Sequence, residues 1–372
     1  MPFKKLPTLK IGDLEINPPF VQGGMGVRVS RANLASAVAS QGCVGIIAGV
    51  GLGKFEELPG RDYVRVSEEA LREEIHKARR QSGGVIGVNI LVASSNYENL
   101  VKAAVDEGID LIVSGAGLPL DLPKLTSGTN IKLLPIVSSA KAFRIICKKW
   151  ERNFKRRPDA VVVEGPRAGG HLGFTFQDVV EGATPRLEEI VVEVCEEAQS
   201  FDPPTPVIAA GGIFDGADIA RFLKLGASGV QMATRFVCTH ECDVHENFKQ
   251  AYIRAREGDT TIIKSPVGMP GRAIRNDFVK QITEGKTIPF KCTYRCLKSC
   301  DPTTAPYCIC SVLAKAAEGN LDESFVFAGS NVYKCTEIIS VRELIEKLTE
   351  ETLFHLNSNE GDFLQESCPS SR

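Results

Sequence analysis

The chain has 372 residues, 44 Lys+Arg against 46 Asp+Glu, and a formal net charge of −2. Hydrophobic residues make up 43% and charged residues 24%, a balance that excludes a disordered or fibrous chain and suits a large α/β domain with a smaller appended piece. Near-neutral charge gives no electrostatic footprint for nucleic acid, and no run of about 18 apolar residues predicts a membrane span.

The predicted elements alternate. The first strand is Pro19-Phe20-Val21, ending in Gln22-Gly23-Gly24, and Ser30 reads as the N-cap of a helix over about 31–40. Val44–Ile47 is the second strand, followed by a helix from Ser67 to Gln81. Val85–Ile90 is the third strand, Tyr97–Glu107 a helix and Leu111–Val113 the fourth strand. Leu133–Val137, Ala160–Val163, Val207–Ala209 and Gly229–Met232 are strands five to eight. Between them lie helices at Ala140–Asn153, Arg186–Gln199 and Asp215–Leu225, the last capped by Asp215. Short, continuously apolar strands suit a parallel sheet buried on both faces. Eight of them with intervening helices predict a (β/α)₈ TIM barrel, with a doubly wound open sheet as the other arrangement.

After Thr234 the alternation stops. The expected organisation is a barrel over residues 1–236 and a smaller cysteine-containing capping domain over 237–335, with a helical piece at Asn247–Glu257. A closing helix over 336–356 and a mobile polar tail over 357–372 follow. Ser340-Val341-Arg342-Glu343 is a capping box, so this late helix could be the eighth barrel helix displaced by the insertion. The segment Met1–Pro7 lacks the apolar stretch of a signal peptide. Twelve Cys then indicate a reducing compartment, and a cytoplasmic protein is expected.

A barrel carries its site at the C-terminal ends of its strands. Glycines concentrate there, in Gln22–Gly26, in Glu164–His171, in Ala210-Gly211-Gly212 and before Gln231–Arg235. The groups after strands seven and eight stand where barrels commonly bind phosphate, and Gly211-Gly212 precede a helix whose free N–H groups favour an anion. His171 follows a small-residue loop at a strand end and is placed to exchange a proton near neutral pH; the competing reading is a hydrogen-bonded structural histidine. His76, His240, His245 and His355 read as solvated or structural. The basic run Lys148–Arg157 reads as a solvated helix end.

Seven stretches carry a family resemblance: Pro19–Gly26, Gly87–Asn89, Ser114–Pro119, Ala168–Gly173, Ala209–Ile213, Gly229–Phe236 and Ser265–Ala273. Together, over roughly residues 15–280, they resemble the nitronate monooxygenase family, formerly 2-nitropropane dioxygenase, which is related to the flavin-dependent enoyl-acyl-carrier-protein reductase II. The resemblance implies a barrel holding FMN under a smaller domain. Gly23, Gly24 and Met25 would approach the flavin ring, Asn89 would hydrogen-bond it, and Gly170 would line the pocket beside the catalytic His171. Gly211, Gly212, Met232, Ala233 and Thr234 would hold the phosphate, with Gln231 beside them at the strand end. Ala233 departs from the glycine that many relatives carry. The implied activity is oxidation of alkyl nitronates by O₂ to a carbonyl compound and nitrite. The alternatives are NAD(P)H-dependent reduction of an enoyl thioester or quinone, and a non-catalytic flavin-binding redox sensor. A small-molecule substrate and a homodimer, with no nucleic-acid or membrane partner, complete the expectation.

Outside those stretches, Cys292, Cys296, Cys300, Cys308 and Cys310 crowd together. Cys296, Cys300 and Cys308 are candidate ligands for an iron–sulfur cluster or zinc, although reduced cysteines also pack as small hydrophobes. The x₃ spacing would place Cys296 and Cys300 on one helical face.

Overall fold

The computed structural model describes residues 3–53 and 62–358. Eight parallel strands form the core: β1 (Phe20–Gln22), β2 (Gly45–Ala48), β3 (Ile86–Leu91), β4 (Leu111–Gly115), β5 (Lys132–Val137), β6 (Val161–Glu164), β7 (Val207–Ala210) and β8 (Gly229–Met232). Each pairs with the next in chain order from β2 to β8, and β8 pairs with β1. The Val44 N–H donates to the Phe20 carbonyl at 3.0 Å and the Gln22 N–H to the Val44 carbonyl at 2.9 Å, which joins β1 to the start of β2. The sheet therefore closes on itself, a TIM barrel, and the doubly wound alternative is set aside because the strand order is sequential and nearly edgeless.

Strand alternation sorts the side chains. On β6, Val161 and Val163 belong to the core between barrel and helices, whereas Val162 belongs to the barrel interior. The period of two therefore turns Glu164 inward at the upper end of β6. The same rule turns Asn89 inward on β3, between outward Val88 and Ile90, and Gln231 inward on β8 after outward Val230. At the lower end an antiparallel hairpin, Leu9–Ile11 with Leu14–Ile16, inserts Leu9, Ile11 and Ile16 into the interior core. The sequence reading had no place for this hairpin, whose strands are three residues each.

Two helix starts differ from expectation, each for a visible reason. The first helix spans Ala32–Ala39, and Ser30 does not cap it. Ser30 Oγ instead accepts from the Met25 N–H at 2.9 Å. Carboxylates from distant segments take over the free N–H groups: Asp243 accepts from Arg31 and Leu34, and Glu74 from Ala32 at 2.8 Å. The second helix begins at Tyr63, capped by Asp62, while the Ser67 hydroxyl bonds back to the Tyr63 carbonyl within the helix.

Helix Val341–Asn357 starts at the Ser340 capping box and packs against both Gly216–Lys224 and Ala32–Ala39. It thus fills the gap between the helices that follow β7 and β1. Contact is backbone-close at Gly216, where a Cβ would lie 2.2 Å from that of Glu351, and Glu351 accepts from the Gly216 N–H at 3.0 Å. The intervening residues carry helix Glu246–Arg254, the antiparallel strands Thr260–Lys264 and Pro270–Ile274, and helix Ile309–Ala317. The predicted mobile tail lies almost wholly outside the described residues. Among the described residues no helix is long and apolar enough to cross a membrane.

Candidate functional site

A cavity opens at the upper ends of the barrel strands, roofed by the segments after β8. From β1 come Gly23, Gly24 and Met25; from β3 Asn89; from β6 Glu164; from the following loop Gly170 and His171; and from β8 Gln231, Ala233 and Thr234. These include eight of the eleven predicted flavin-binding residues, together with the predicted catalytic His171. Gly211, Gly212 and Met232 are not among the lining residues. Met232 sends its side chain into the core between barrel and helices and offers its carbonyl to the Gly23 N–H at 2.8 Å. The Met232 side chain thus follows the outward face of β8.

Gly211 and Gly212 stand at a neighbouring rim with φ of +94° and +89°, a backbone region open mainly to glycine. A Cβ on Gly212 would lie 2.8 Å from the Cβ of Arg167, whose side chain is exposed beside this rim. The segment after Phe327 completes the rim. Its Gly329 N–H donates to Thr234 Oγ1 at 3.0 Å, Ser330 N–H to the Arg167 carbonyl at 3.1 Å, and Asn331 Nδ2 to the Gly212 carbonyl at 2.7 Å.

His171 is positioned by sheet pairing. Gly170–His171 forms a short strand antiparallel to Pro270–Ile274, with His171 opposite Gly271. This brings the imidazole Nε2 within 2.7 Å of Ser265 Oγ, which also accepts from the Val267 N–H at 3.3 Å. The ring meets Phe327 edge-on at 5.1 Å. Burial pushes the imidazole down to about 4, so it is neutral at pH 7. Ser265 and Phe327 escaped the sequence reading as site groups. Ser265 lies within a stretch that carries the family resemblance, but Phe327 has no local signal.

Glu164 is the polar group that strand alternation adds. Facing the cavity from the end of β6, its carboxyl is pushed up to about 7 by burial. The folded protein therefore holds the proton through the window from 4.5 to about 7 in which the unfolded chain releases it, and stability falls with rising pH there. Glu164→Gln should remove this penalty. Its stability relative to the parent should grow between pH 5 and 7.5 by about 1–2 kcal/mol, measured by urea unfolding at each pH. A pH-independent difference would mean that Glu164 ionises freely.

The candidate ligands Cys296, Cys300 and Cys308 do not gather into a metal site among the described residues. Among the described residues no group of three or more His, Cys, Asp or Glu could hold a metal ion. Residues 286–296 have no regular structure, so Cys296 and Cys300 do not share a helical face. Cys308 is the N-cap residue of helix Ile309–Ala317, and the Cys296 and Cys310 thiols perturb each other's ionisation. Of the histidines read as structural, His245 caps helix Glu246–Arg254 through Nδ1, and His76 pairs with Glu107.

Whether these residues fit a flavin mononucleotide can be tested on the protein itself. Gln231 Oε1 and Ser330 Oγ are buried without a hydrogen-bond partner among the described residues, one at the cavity and one beside the rim. At Gly170 a Cβ would meet nothing within 4 Å, so open space adjoins the backbone next to His171. Unpaired polar groups, accessible backbone and an arginine beside two positive-φ glycines suit a ring with polar edges and an anionic tail.

Comparison with known proteins agrees with this geometry. The family profile described as Nitronate monooxygenase matches residues 8–351. A probable nitronate monooxygenase of Bacillus subtilis is 25% identical over 361 residues, covering 91% of this chain and 97% of that one. The (3aS,4S,5R,7aS)-5-hydroxy-7a-methyl-1-oxo-octahydro-1H-indene-4-carboxyl-CoA dehydrogenase of Mycobacterium tuberculosis is 29% identical over 270 residues, 73% of this chain, and the chain spans 66% of that relative's length. Among solved structures, FabK from Thermotoga maritima superposes with a TM-score of 0.70 at 29% identity, over 90% of this chain and 92% of that one. Nitroalkane oxidase from Streptomyces ansochromogenes shares the fold, at 21% identity and a TM-score of 0.71 over 91% and 96% of the two chains. A closed barrel with its cavity at the strand ends, matched along nearly the whole chain, makes this protein a member of the nitronate monooxygenase family.

Proposed function

We propose that the protein is an FMN-dependent nitronate monooxygenase, converting an alkyl nitronate and O₂ to a carbonyl compound and nitrite. The observation that carries this reading is a neutral imidazole, His171, held by Ser265 at the wall of a cavity lined by Gly23, Gly24 and Gly170. Gly23, Gly24, Met25, Asn89 and Gln231 would hold the flavin ring, and the rim of Gly211, Gly212, Ala233 and Thr234, with Arg167 beside it, its phosphate. Bound there, FMN supplies the electron chemistry that lets O₂ react with an organic substrate.

The side chains do the rest. Ser265 fixes the imidazole through Nε2, and Nδ1 has no protein hydrogen-bond partner among the described residues. A neutral ring can orient a nitronate oxygen through an N–H, or take the α-proton from an uncharged nitroalkane. Apolar Val27, Leu297 and Leu313 restrict water around a small substrate.

The likeness to FabK and to a carboxyl-CoA dehydrogenase favours a second reading, NAD(P)H-dependent reduction of an enoyl thioester or quinone. One experiment separates the two. In the absence of oxygen, propionate 3-nitronate should bleach the 450 nm region of the yellow holoprotein while NADH and NADPH leave it unchanged. Bleaching by a pyridine nucleotide alone transfers the protein to the reductases.

A further inference from the structure

The described cysteines are free, yet two pairs of thiols meet: Cys238 with Cys335, and Cys296 with Cys310. The pairs differ in what they face. Cys238 and Cys335 are 1% and 0% exposed inside the core around the barrel, and neither lines the cavity. Cys296 and Cys310 both line the cavity that holds His171. They reach it from separate segments. Cys296 sits on an irregular stretch tied to the β3 end by the Ser95 N–H, which donates to the Cys296 carbonyl at 3.0 Å. Cys310 lies in the first turn of helix Ile309–Ala317, against Gly51, where a Cβ would come within 3.1 Å of its sulfur.

We propose that Cys296 and Cys310 form a redox-active dithiol site that reduces a small hydroperoxide entering the cavity and closes to a disulfide. The choice of oxidant follows from the surroundings. Val27, Leu297, Ile309 and Leu313 line the cavity beside the two thiols, an apolar wall that suits a compact, uncharged peroxide better than a charged peptide disulfide. The roles follow from access and from the contact between the thiols: Cys296 is 7% exposed and Cys310 2%. The neighbouring Cys310 thiol holds the Cys296 pKa below the usual thiol value, while Cys296 and burial push that of Cys310 up. Cys296 is thus the attacking sulfur and Cys310 the resolving one.

The chemistry balances in two steps. The Cys296 sulfur attacks one peroxide oxygen and the O–O bond breaks. An alcohol, or water from hydrogen peroxide, leaves with the thiol proton, and Cys296 becomes a sulfenic acid. The Cys310 sulfur then attacks the Cys296 sulfur, the S–O bond breaks, and a second water departs with the Cys310 proton. Two electrons pass from the two sulfurs to the peroxide. No flavin step is involved, so the site stands apart from the reading under Proposed function.

The test uses the holoprotein, treated with stoichiometric hydrogen peroxide, quenched with N-ethylmaleimide and mapped by peptide mass spectrometry. A Cys296–Cys310 cross-link, 2 Da lighter than the two thiols, should form at least about tenfold faster than any oxidation of Cys238 or Cys335. In Cys310→Ser the reaction should stop at a Cys296 sulfenic acid that dimedone traps. Equal oxidation rates for the two pairs would overturn the proposal, as would peroxide leaving Cys296 and Cys310 open to alkylation. Mapping the unaltered protein decides the matter even if a variant fails to fold.

Discussion

Replacing His171 with Ala should lower kcat/KM by about 10²–10⁴-fold, the range for losing a positioned acid–base group, while the flavin stays bound. The imidazole's own contacts are Ser265 and Phe327, and the rim of Gly211, Gly212 and Thr234 owes nothing to it. A loss of that size corresponds to about 3–5 kcal/mol of transition-state stabilisation. The deficit should be larger for a neutral nitroalkane than for its nitronate, because only the former must lose a proton. Steady-state kinetics on both substrates, with the flavin-to-protein absorbance ratio as a control, give the answer. Turnover within threefold of the parent would reduce His171 to a structural residue.

The largest effect on stability should come from Trp150→Ala. Trp150 is fully buried on helix Ala140–Phe154, and its Nε1 donates to the Pro119 carbonyl at 3.0 Å. Truncation removes the indole from a close-packed layer, leaves a cavity, and strands a buried carbonyl. Together these cost about 3–5 kcal/mol. Urea unfolding followed by circular dichroism should show a midpoint shift in proportion, with the slope preserved. A change below about 1 kcal/mol would mean that the helix layer relaxes into the space.

How much of this was legible in the sequence depends on the range of the signal. Strand order was legible because each strand is a short apolar run between turn residues, and sequential pairing follows from the βα alternation. Placement of His171 and Asn89 at the cavity needed only the rule that barrel sites lie at strand ends. Glu164 was in view as a strand-end residue, but its inward direction emerged only once Val162 was seen inside the barrel. Ser265 and Phe327 reach His171 through a three-stranded sheet whose middle strand starts at Pro270, a pairing that no local pattern announces. The same holds for the first helix, whose free N–H groups are taken by Asp243 and Glu74 from distant segments. Regular cysteine spacing suggested a helix and a metal, yet the stretch around Cys296 is irregular.

Helix Val341–Asn357 has a consequence for biosynthesis. It wedges between helices Gly216–Lys224 and Ala32–Ala39, although β8 ends at Met232. As the nascent polypeptide leaves the ribosome, the eighth strand emerges long before the helix that must cover its outer face. Until residues 341–357 arrive, apolar side chains on the neighbouring helices stand open to chaperones and to other unfinished copies. Ribosome-bound chains halted at residue 300 should therefore be markedly more protease-sensitive around Gly216 than released protein.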